Sequence, residues 1–196
     1  MDTARYILAV LMLIGVSFAI PYWFIVHPFV SFWRRLGMWT AYSILLVISL
    51  ALAATAFLSK DWILSVEYGT RLPVIVVGAI CYGFAVALQF RVKKHLKFRI
   101  LAGVPELESS GKGGTLLQEG IYSRLRHPRY VSFMFGMLGI ALFTNYLAMH
   151  ILIPVSAAAL YLVILLEEKE LRSRFGDDYI RYSKRVPRFI PRMRGD

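Results

Sequence analysis

Four long stretches without a charged residue constrain this chain more than any other feature: Tyr6–Val26, Gly37–Leu58, Leu72–Phe90 and Tyr130–Leu166. A helix needs roughly 20 mainly apolar residues to cross the hydrocarbon layer of a bilayer. The first three runs each supply one such helix. The fourth run has 37 residues, too long for one span, and Thr144-Asn145 is the polar pair near its middle. A turn there splits it into two helices that fold as a tight hairpin, the first of them short at about 14–16 residues, or roughly 21–24 Å. The expected fold is therefore an all-α integral membrane protein with five transmembrane helices. Composition agrees. The chain is 58% hydrophobic and 18% charged, whereas a soluble domain is about 45–50% apolar and about 25% charged. The same hydrophobicity excludes intrinsic disorder.

Five spans put the two termini on opposite sides, and the basic residues choose between them. Segments 27–36, 91–129 and 167–196 hold 2, 9 and 9 Lys and Arg, while the other side holds only Arg5, Lys60 and Arg71. Basic residues favour the cytoplasmic side. The N-terminus is thus expected outside, with the C-terminus and the segments 91–129 and 167–196 in the cytoplasm. The net charge of +11 follows from this topology and from contact with anionic lipid headgroups, not from nucleic-acid binding. Trp23, Trp33, Trp39 and Trp62 fall near span ends, as an aromatic belt requires. Arg5 precedes the first run as in a signal peptide, but the run is long and Asp2 disturbs the basic start, so retention is expected. Ala79, Gly83 and Ala87 form a small-residue face on the third span, where another helix can pack closely. One membrane domain over 1–196 is expected, with three helices in 1–90 and the chemistry in 91–196.

Several chemistries are excluded. The single Cys81 rules out an internal disulfide, and no H-x-x-H or C-x-x-C pair suggests a metal. Ser110–Thr115 faintly resembles a phosphate loop, but it lacks a Ser or Thr directly after Lys112 and a preceding strand. No G-x-G-x-x-G opens a βαβ unit, so no dinucleotide-binding domain is expected.

The 91–129 segment and the C-terminal tail emerge on the basic side; 105–130 and 167–191 are expected to pack together into a cytoplasmic cap over the hairpin, and each carries a polar block. In Gly120–Tyr130, Pro128 suits the first turn of the fourth helix and His127 its N-cap. Such a helix start seats an anion, with Arg126 and Arg129 adding positive charge; the alternative is that these residues only anchor the helix among the headgroups. The second block is Glu167-Glu168-Lys169-Glu170-Leu171. On a helix, Glu168 can pair with Arg172 and Glu170 with Arg174. Glu167 has no such helper, and an unpaired carboxylate at the apolar boundary points to function.

Together the blocks resemble the isoprenylcysteine carboxyl methyltransferase family and the related membrane phospholipid methyltransferases. The matching residues are Gly120, Tyr122, Arg126-His127-Pro128 and Tyr130, then Glu167-Glu168, Phe175-Gly176, Tyr179, Tyr182, Val186 and Phe189-Ile190-Pro191. The resemblance covers about residues 114–191. It implies a methyltransferase that uses S-adenosylmethionine, with S-adenosylhomocysteine as product. It implies a cofactor site lined by Tyr122, His127, Pro128 and Tyr130 and closed by Thr115, Leu116 and Leu117. It places Glu167 and Arg126 in catalysis, and Glu167 and Glu168 at the substrate. Eukaryotic members carry an Arg one turn before the first Glu, implicated in holding the substrate carboxylate; here that position is Val163, and Arg126 or a tail arginine is left to substitute. The expected acceptor is the carboxylate of an isoprenylcysteine or similar prenylated acid, entering from the bilayer. The alternative on the same scaffold is a phospholipid amine. A transporter or scaffold is a third reading, but such proteins place charges or broken helices at mid-membrane, and these spans contain no charge.

Overall fold

A computed structural model describes residues 2–26, 30–94 and 115–191. The basic run around His95 and the Ser110–Gly114 stretch lie outside the described residues. The helices are α1 (Asp2–Val26), α2 (Val30–Leu36), α3 (Met38–Leu58), α4 (Lys60–Ile63) and α5 (Leu72–Lys93), followed by a 3-10 turn at Gly120–Ser123, then α6 (Pro128–Thr144), α7 (Leu147–Phe175) and α8 (Asp177–Arg185). Among the described residues there is no strand, only an isolated bridge between Glu67 and Tyr146.

Among the described residues, four helices are long and apolar enough to cross a membrane: α1, α3, α5 and α7. The fourth run does split at Thr144-Asn145. Its first half, α6, has 17 residues, about 25 Å and slightly longer than expected. Its second half, α7, has 29 residues, about 43 Å. That exceeds a hydrocarbon layer of about 30 Å, so the charged turns after Leu166 extend beyond it.

The turn between α6 and α7 explains the split. Asn145 adopts the left-handed conformation at φ 56° and ψ 41°, which Asn tolerates better than most residues. Its N–H donates to the Ala141 carbonyl at 2.8 Å. Its side-chain amide donates to the Gly69 carbonyl at 2.8 Å. Tyr68 N–H donates to the Asn145 carbonyl at 3.0 Å, and Leu147 N–H to the Val66 carbonyl at 3.1 Å. The loop before α5 therefore holds the turn of the hairpin.

Arg5, which the sequence only counted as an outside charge, is fully buried at this end. Its Nε and Nη2 donate to the Thr144 carbonyl at 3.1 and 2.7 Å. Nη1 donates to Thr70 Oγ1 at 3.1 Å and pairs with Glu67 at 2.6 Å. One guanidinium thus satisfies the open carbonyl end of α6 and ties α1 to both loops.

The helix α5 packs closely on α6, antiparallel to it. A Cβ on Gly139 would lie 2.8 Å from the Gly78 carbonyl oxygen and 2.9 Å from Tyr82 N. Both glycines permit a backbone approach that any side chain would block. The expected face is therefore the wrong one: Ala79, Gly83 and Ala87 are exposed, while Gly78, Ala85, Leu88 and Val92 are buried. Sequence spacing found small residues but not which way they point. Trp39 and Trp62 are exposed near helix ends, as a belt requires, but Trp33 is buried against Phe32 at 5.0 Å between ring centroids.

Replacing Arg5 with Ala should lower stability by about 2–4 kcal/mol, because the Thr144 carbonyl and Glu67 lose a buried charged partner. Thermal unfolding of the purified protein in detergent measures this. A melting temperature within a degree of wild type would mean that Arg5 does not hold this end together.

Candidate functional site

At the opposite end of the hairpin, three chain segments converge on one carboxylate. His127 is the N-cap of α6 and Pro128 its first residue, as the sequence indicated. No side chain caps this helix start. The chain leading into it lies beside the C-terminal tail: Arg126 N–H donates to the Pro187 carbonyl at 2.9 Å, and His127 N–H to the Arg188 carbonyl at 3.2 Å. Gly176, at φ 51°, turns the chain from α7 into α8. There Tyr179, Tyr182 and Val186 form a small core with Leu116, Leu171 and Phe175. The Tyr182 hydroxyl donates to the Tyr122 carbonyl at 2.8 Å. The blocks expected to pack together do so over their described parts, 115–130 and 167–191.

Glu168 is the centre of this assembly and is 2% exposed. Its Oε1 lies 2.7 Å from Arg126 Nη1 and 3.1 Å from His127 Nε2. Arg188 grips the same carboxylate from the tail, Nε donating to Oε1 at 3.0 Å and Nη2 to Oε2 at 2.7 Å. A bidentate guanidinium–carboxylate pair is the strongest common form of charged hydrogen bond. That bond raises the pKa of Arg188 further. The expected pairing of Glu168 with Arg172 is therefore incorrect. Glu168 faces inward, where three cationic or hydrogen-bonding groups outweigh one surface arginine. The Glu170–Arg174 pair is present at 3.6 Å.

Glu167 points elsewhere, as adjacent residues on a helix must. It is partly exposed and accepts a hydrogen bond from the Tyr130 hydroxyl at 2.8 Å. His127 Nδ1 lies 3.9 Å from the same oxygen, Oε2. The expectation that Glu167 lacks a helper is thus corrected: its partner comes from α6, not from its own helix. Since His127 donates from Nε2 to Glu168, its Nδ1 side faces Glu167. The His127 ring stands between Tyr130, at 5.8 Å, and Phe189, at 6.4 Å.

The remaining site residues fall as follows. Arg126 is nine-tenths buried, shares Nη1 with the Tyr179 hydroxyl at 3.4 Å, and has a buried Nε without a hydrogen-bond partner. Pro128 is fully buried. Leu116 lies against α8, Leu117 is half-buried and Thr115 exposed. Burial pushes Tyr122 up to about 12, with the Glu167 charge adding to it. Burial pushes Tyr179 to about 12 as well, the Glu168 charge reinforcing it. Both remain neutral hydroxyls across the working pH range. Among the described residues, no group of three or more His, Cys, Asp or Glu is placed to hold a metal.

Sequence reasoning missed Arg188 and its seat over the Tyr161 ring, 6.0 Å away. The available signal was its place inside the Val186…Ile190-Pro191 block. It also missed a cleft of about 510 Å³ between α1, α5 and α6. Met12, Gly15, Val16, Phe133, Met137 and Ile140 make this cleft apolar, and Gln89, Arg129 and Tyr130 line its polar end. Tyr130 therefore borders the cleft and also holds Glu167.

A bundle of long apolar helices, with a tail and hairpin that lock a buried carboxylate near an apolar cleft, defines a multi-pass membrane protein. The chain belongs to the phospholipid methyltransferase family, whose profile matches residues 73–178. That match begins inside α5, ahead of every motif residue. Three characterised proteins are similar over shorter stretches. The cobalt-zinc-cadmium resistance protein CzcN of Cupriavidus metallidurans is 37% identical over 86 residues, 43% of this chain and 39% of that protein. The nickel-cobalt-cadmium resistance protein NccN of Alcaligenes xylosoxydans xylosoxydans is 31% identical over 85 residues, 43% of this chain and 40% of that protein. The protein-S-isoprenylcysteine O-methyltransferase of Schizosaccharomyces pombe is 38% identical over 81 residues, 41% of this chain and 34% of that protein. The matches thus span about two fifths or less of these relatives' length. No solved structure matches the chain significantly.

Changing Glu168 to Gln keeps its shape but removes the charge facing Arg126 and Arg188. Stability should fall by about 3–5 kcal/mol, the cost of leaving buried charges without their partner. Limited proteolysis should then cut the tail after Arg185 faster than in wild type. Unchanged cleavage would mean that the tail is held by its other contacts.

Proposed function

We propose that this protein is an integral membrane methyltransferase that uses S-adenosylmethionine to methylate the carboxylate of an isoprenylcysteine or a similar prenylated acid. The observation that carries this reading is the Tyr130–Glu167 hydrogen bond, set where the start of α6 meets an apolar cleft. Family membership supports methyl transfer, and the likeness to the yeast O-methyltransferase supports a carboxylate acceptor.

The residues present suit the cofactor. The helix start at Pro128 has no side-chain cap and is attractive to a carboxylate. The buried, unpartnered Nε of Arg126 adds an unused donor beside it. Tyr122, Tyr130 and Leu116 offer apolar and aromatic surface for an adenine. Glu167 supplies negative charge to favour a sulfonium. Once bound, S-adenosylmethionine provides an electrophilic methyl group. His127, Pro128, Tyr122, Tyr130 and Thr115–Leu117 are assigned to holding it.

The geometry supports the following roles for the chain's own residues. Tyr130 fixes the Glu167 carboxylate, so that its field and position are set before substrate arrives. Glu168, with both oxygens engaged, is a positioning residue that holds His127 and Arg126 in place. An acceptor carboxylate is ionised at neutral pH, with a reference pKa near 3.3–3.7 for a chain terminus, and needs alignment but no base. A phospholipid amine is the second reading, favoured by the family description. It must lose a proton, and Glu167 is the residue we assign as base.

In this reading the chain is one domain with five spans, α6 being the short one. Residues 1–90 supply three spans and 91–196 the transfer machinery. The N-terminus lies outside, and the C-terminus, the site and its cap of tail and 91–129 segment are cytoplasmic. The acceptor arrives from the bilayer and the cofactor from the cytosol.

His127→Ala should weaken S-adenosylhomocysteine binding by about 10-fold or more, the loss of a hydrogen bond beside charged groups. Titration calorimetry measures it, and unchanged affinity would return His127 to a purely anchoring role. Glu167→Gln should cut turnover while leaving that affinity within a few-fold. With an amine acceptor the loss is about 10²–10⁴-fold and activity falls as the base protonates; with a carboxylate acceptor the loss is smaller and activity is flat above about pH 6. Wild-type turnover by a folded Glu167→Gln protein, on both prenylcysteine and phosphatidylethanolamine, would remove Glu167 from the mechanism.

A further inference from the structure

The C-terminal tail does not stop at Glu168. Arg188 grips that carboxylate, yet its guanidinium also lies 6.0 Å from the Tyr161 ring, and the Phe189 ring is 6.5 Å from the same ring. Tyr161 stands five positions before Leu166, the last residue of the apolar run, which is about 7–8 Å of helix. Side chains on a helix lean toward its N-terminus, so the Tyr161 ring reaches further into the apolar run. Phe189 has therefore passed the charged turns of α7 and lies beside the part of that helix whose composition suits hydrocarbon.

The direction of the chain agrees. Arg126 N–H donates to the Pro187 carbonyl and His127 N–H to that of Arg188. The two bonds are made in the same chain order, so the tail advances alongside the entry to α6. From Pro128 that entry continues as an apolar helix. The tail, moving with it, presents Phe189 and then Ile190, which is 79% exposed. An isoleucine left this bare in water adds nothing to the hold on the tail.

The neighbouring charges indicate what covers it. Arg188 precedes the apolar pair, and Arg192 and Arg194 follow it in the sequence. The helix α8 adds exposed Arg181, Lys184 and Arg185. An apolar tip set among cations suits the boundary of an anionic leaflet, where acyl chains take up the tip and phosphates face the cations.

We propose that Phe189-Ile190 is a wedge inserted into the membrane, and that the lipid leaflet is the partner that keeps the tail seated and Arg188 on Glu168. The bilayer then completes the cap from outside, whichever acceptor is methylated.

The test uses the full chain in nanodiscs of phosphatidylcholine and phosphatidylglycerol. Cys81, the single cysteine, is changed to Ser. A bimane label is then placed at Ile190→Cys or, as a control, at Lys184→Cys, which is exposed on α8. Lipids with a nitroxide on the acyl chain should quench the label at 190 several-fold more than at 184, and aqueous iodide should do the reverse. A label at 190 that iodide reaches as readily as at 184 overturns the proposal. So does a label shielded from both quenchers, since protein would then cover the tip. Seating has its own readout, made with Cys81 retained. Burial of an isoleucine side chain shifts an opening equilibrium by about ten-fold or more, and cleavage of an opened segment tracks its open population. Ile190→Ser should therefore speed trypsin cleavage after Arg185 by about ten-fold or more, with Ile190→Leu at the wild-type rate. Equal rates for Ile190→Ser and wild type would show that the tail keeps its place without the leaflet. Neither readout requires methyl transfer, so the wedge and the methyltransferase reading fail separately.

Discussion

Glu168 is the residue on which the site depends. A carboxylate this deeply buried is unfavourable unless its charge is matched and both oxygens are bonded. Here the matching groups come from separate places: Arg126 and His127 from the approach to α6, and Arg188 from the tail. The carboxylate can be buried only if the tail lies against α7 and the chain before α6 lies against the tail. The two backbone bonds from Arg126 and His127 to 187 and 188 follow from that arrangement. One charge thus forces three segments into register, and His127 and Tyr130 inherit their positions from it.

The other end of the hairpin is held in the same way with the sign reversed. Arg5 is a buried cation, and the partners it draws in are the Thr144 carbonyl, Thr70 and Glu67. Because both groups are buried in the protein, neither end can give up its partners without a large cost. A hairpin fixed at both ends holds the start of α6 and the end of α7 at a constant spacing. Such rigidity is what a transfer site needs, since reacting atoms must be aligned to within about an ångström.

The spans were legible because hydrophobicity over twenty residues is a strong signal, and Thr144-Asn145 was legible because it is the polar pair near the middle of an apolar run too long for one span. Pro128 and His127 were legible from the chemistry of helix starts. The interior partners were not. Arg5 reads as one charge before a span, and nothing in its neighbourhood indicates Thr144, which is 139 residues away. Glu168 and Arg172 stand at the right spacing for a surface pair, and only the folded tail shows that Arg188 competes successfully for the carboxylate. The spacing of Ala79, Gly83 and Ala87 was real, but the pattern of α5 is apolar all round, so no polar face indicated which side was buried. The family match from residue 73 brings α5 into the unit that the motifs alone placed later in the chain, and the close Gly78–Gly139 approach is the physical reason the two belong together.

The placement of Tyr130 joins these observations. Its ring borders the apolar cleft and its hydroxyl reaches Glu167. The junction of the two lies at the first turn of α6, where the dipole is positive and the backbone starts without a side-chain cap. The charged turns of α7 reach it because the helix is longer than the hydrocarbon layer is thick. A shorter α7 would place Glu167 and Glu168 inside the apolar layer, where the arginines that match Glu168 could not follow from the polar side. The excess length of α7 over α6 is therefore what allows one helix to anchor the fold in the bilayer and also present two carboxylates at its edge.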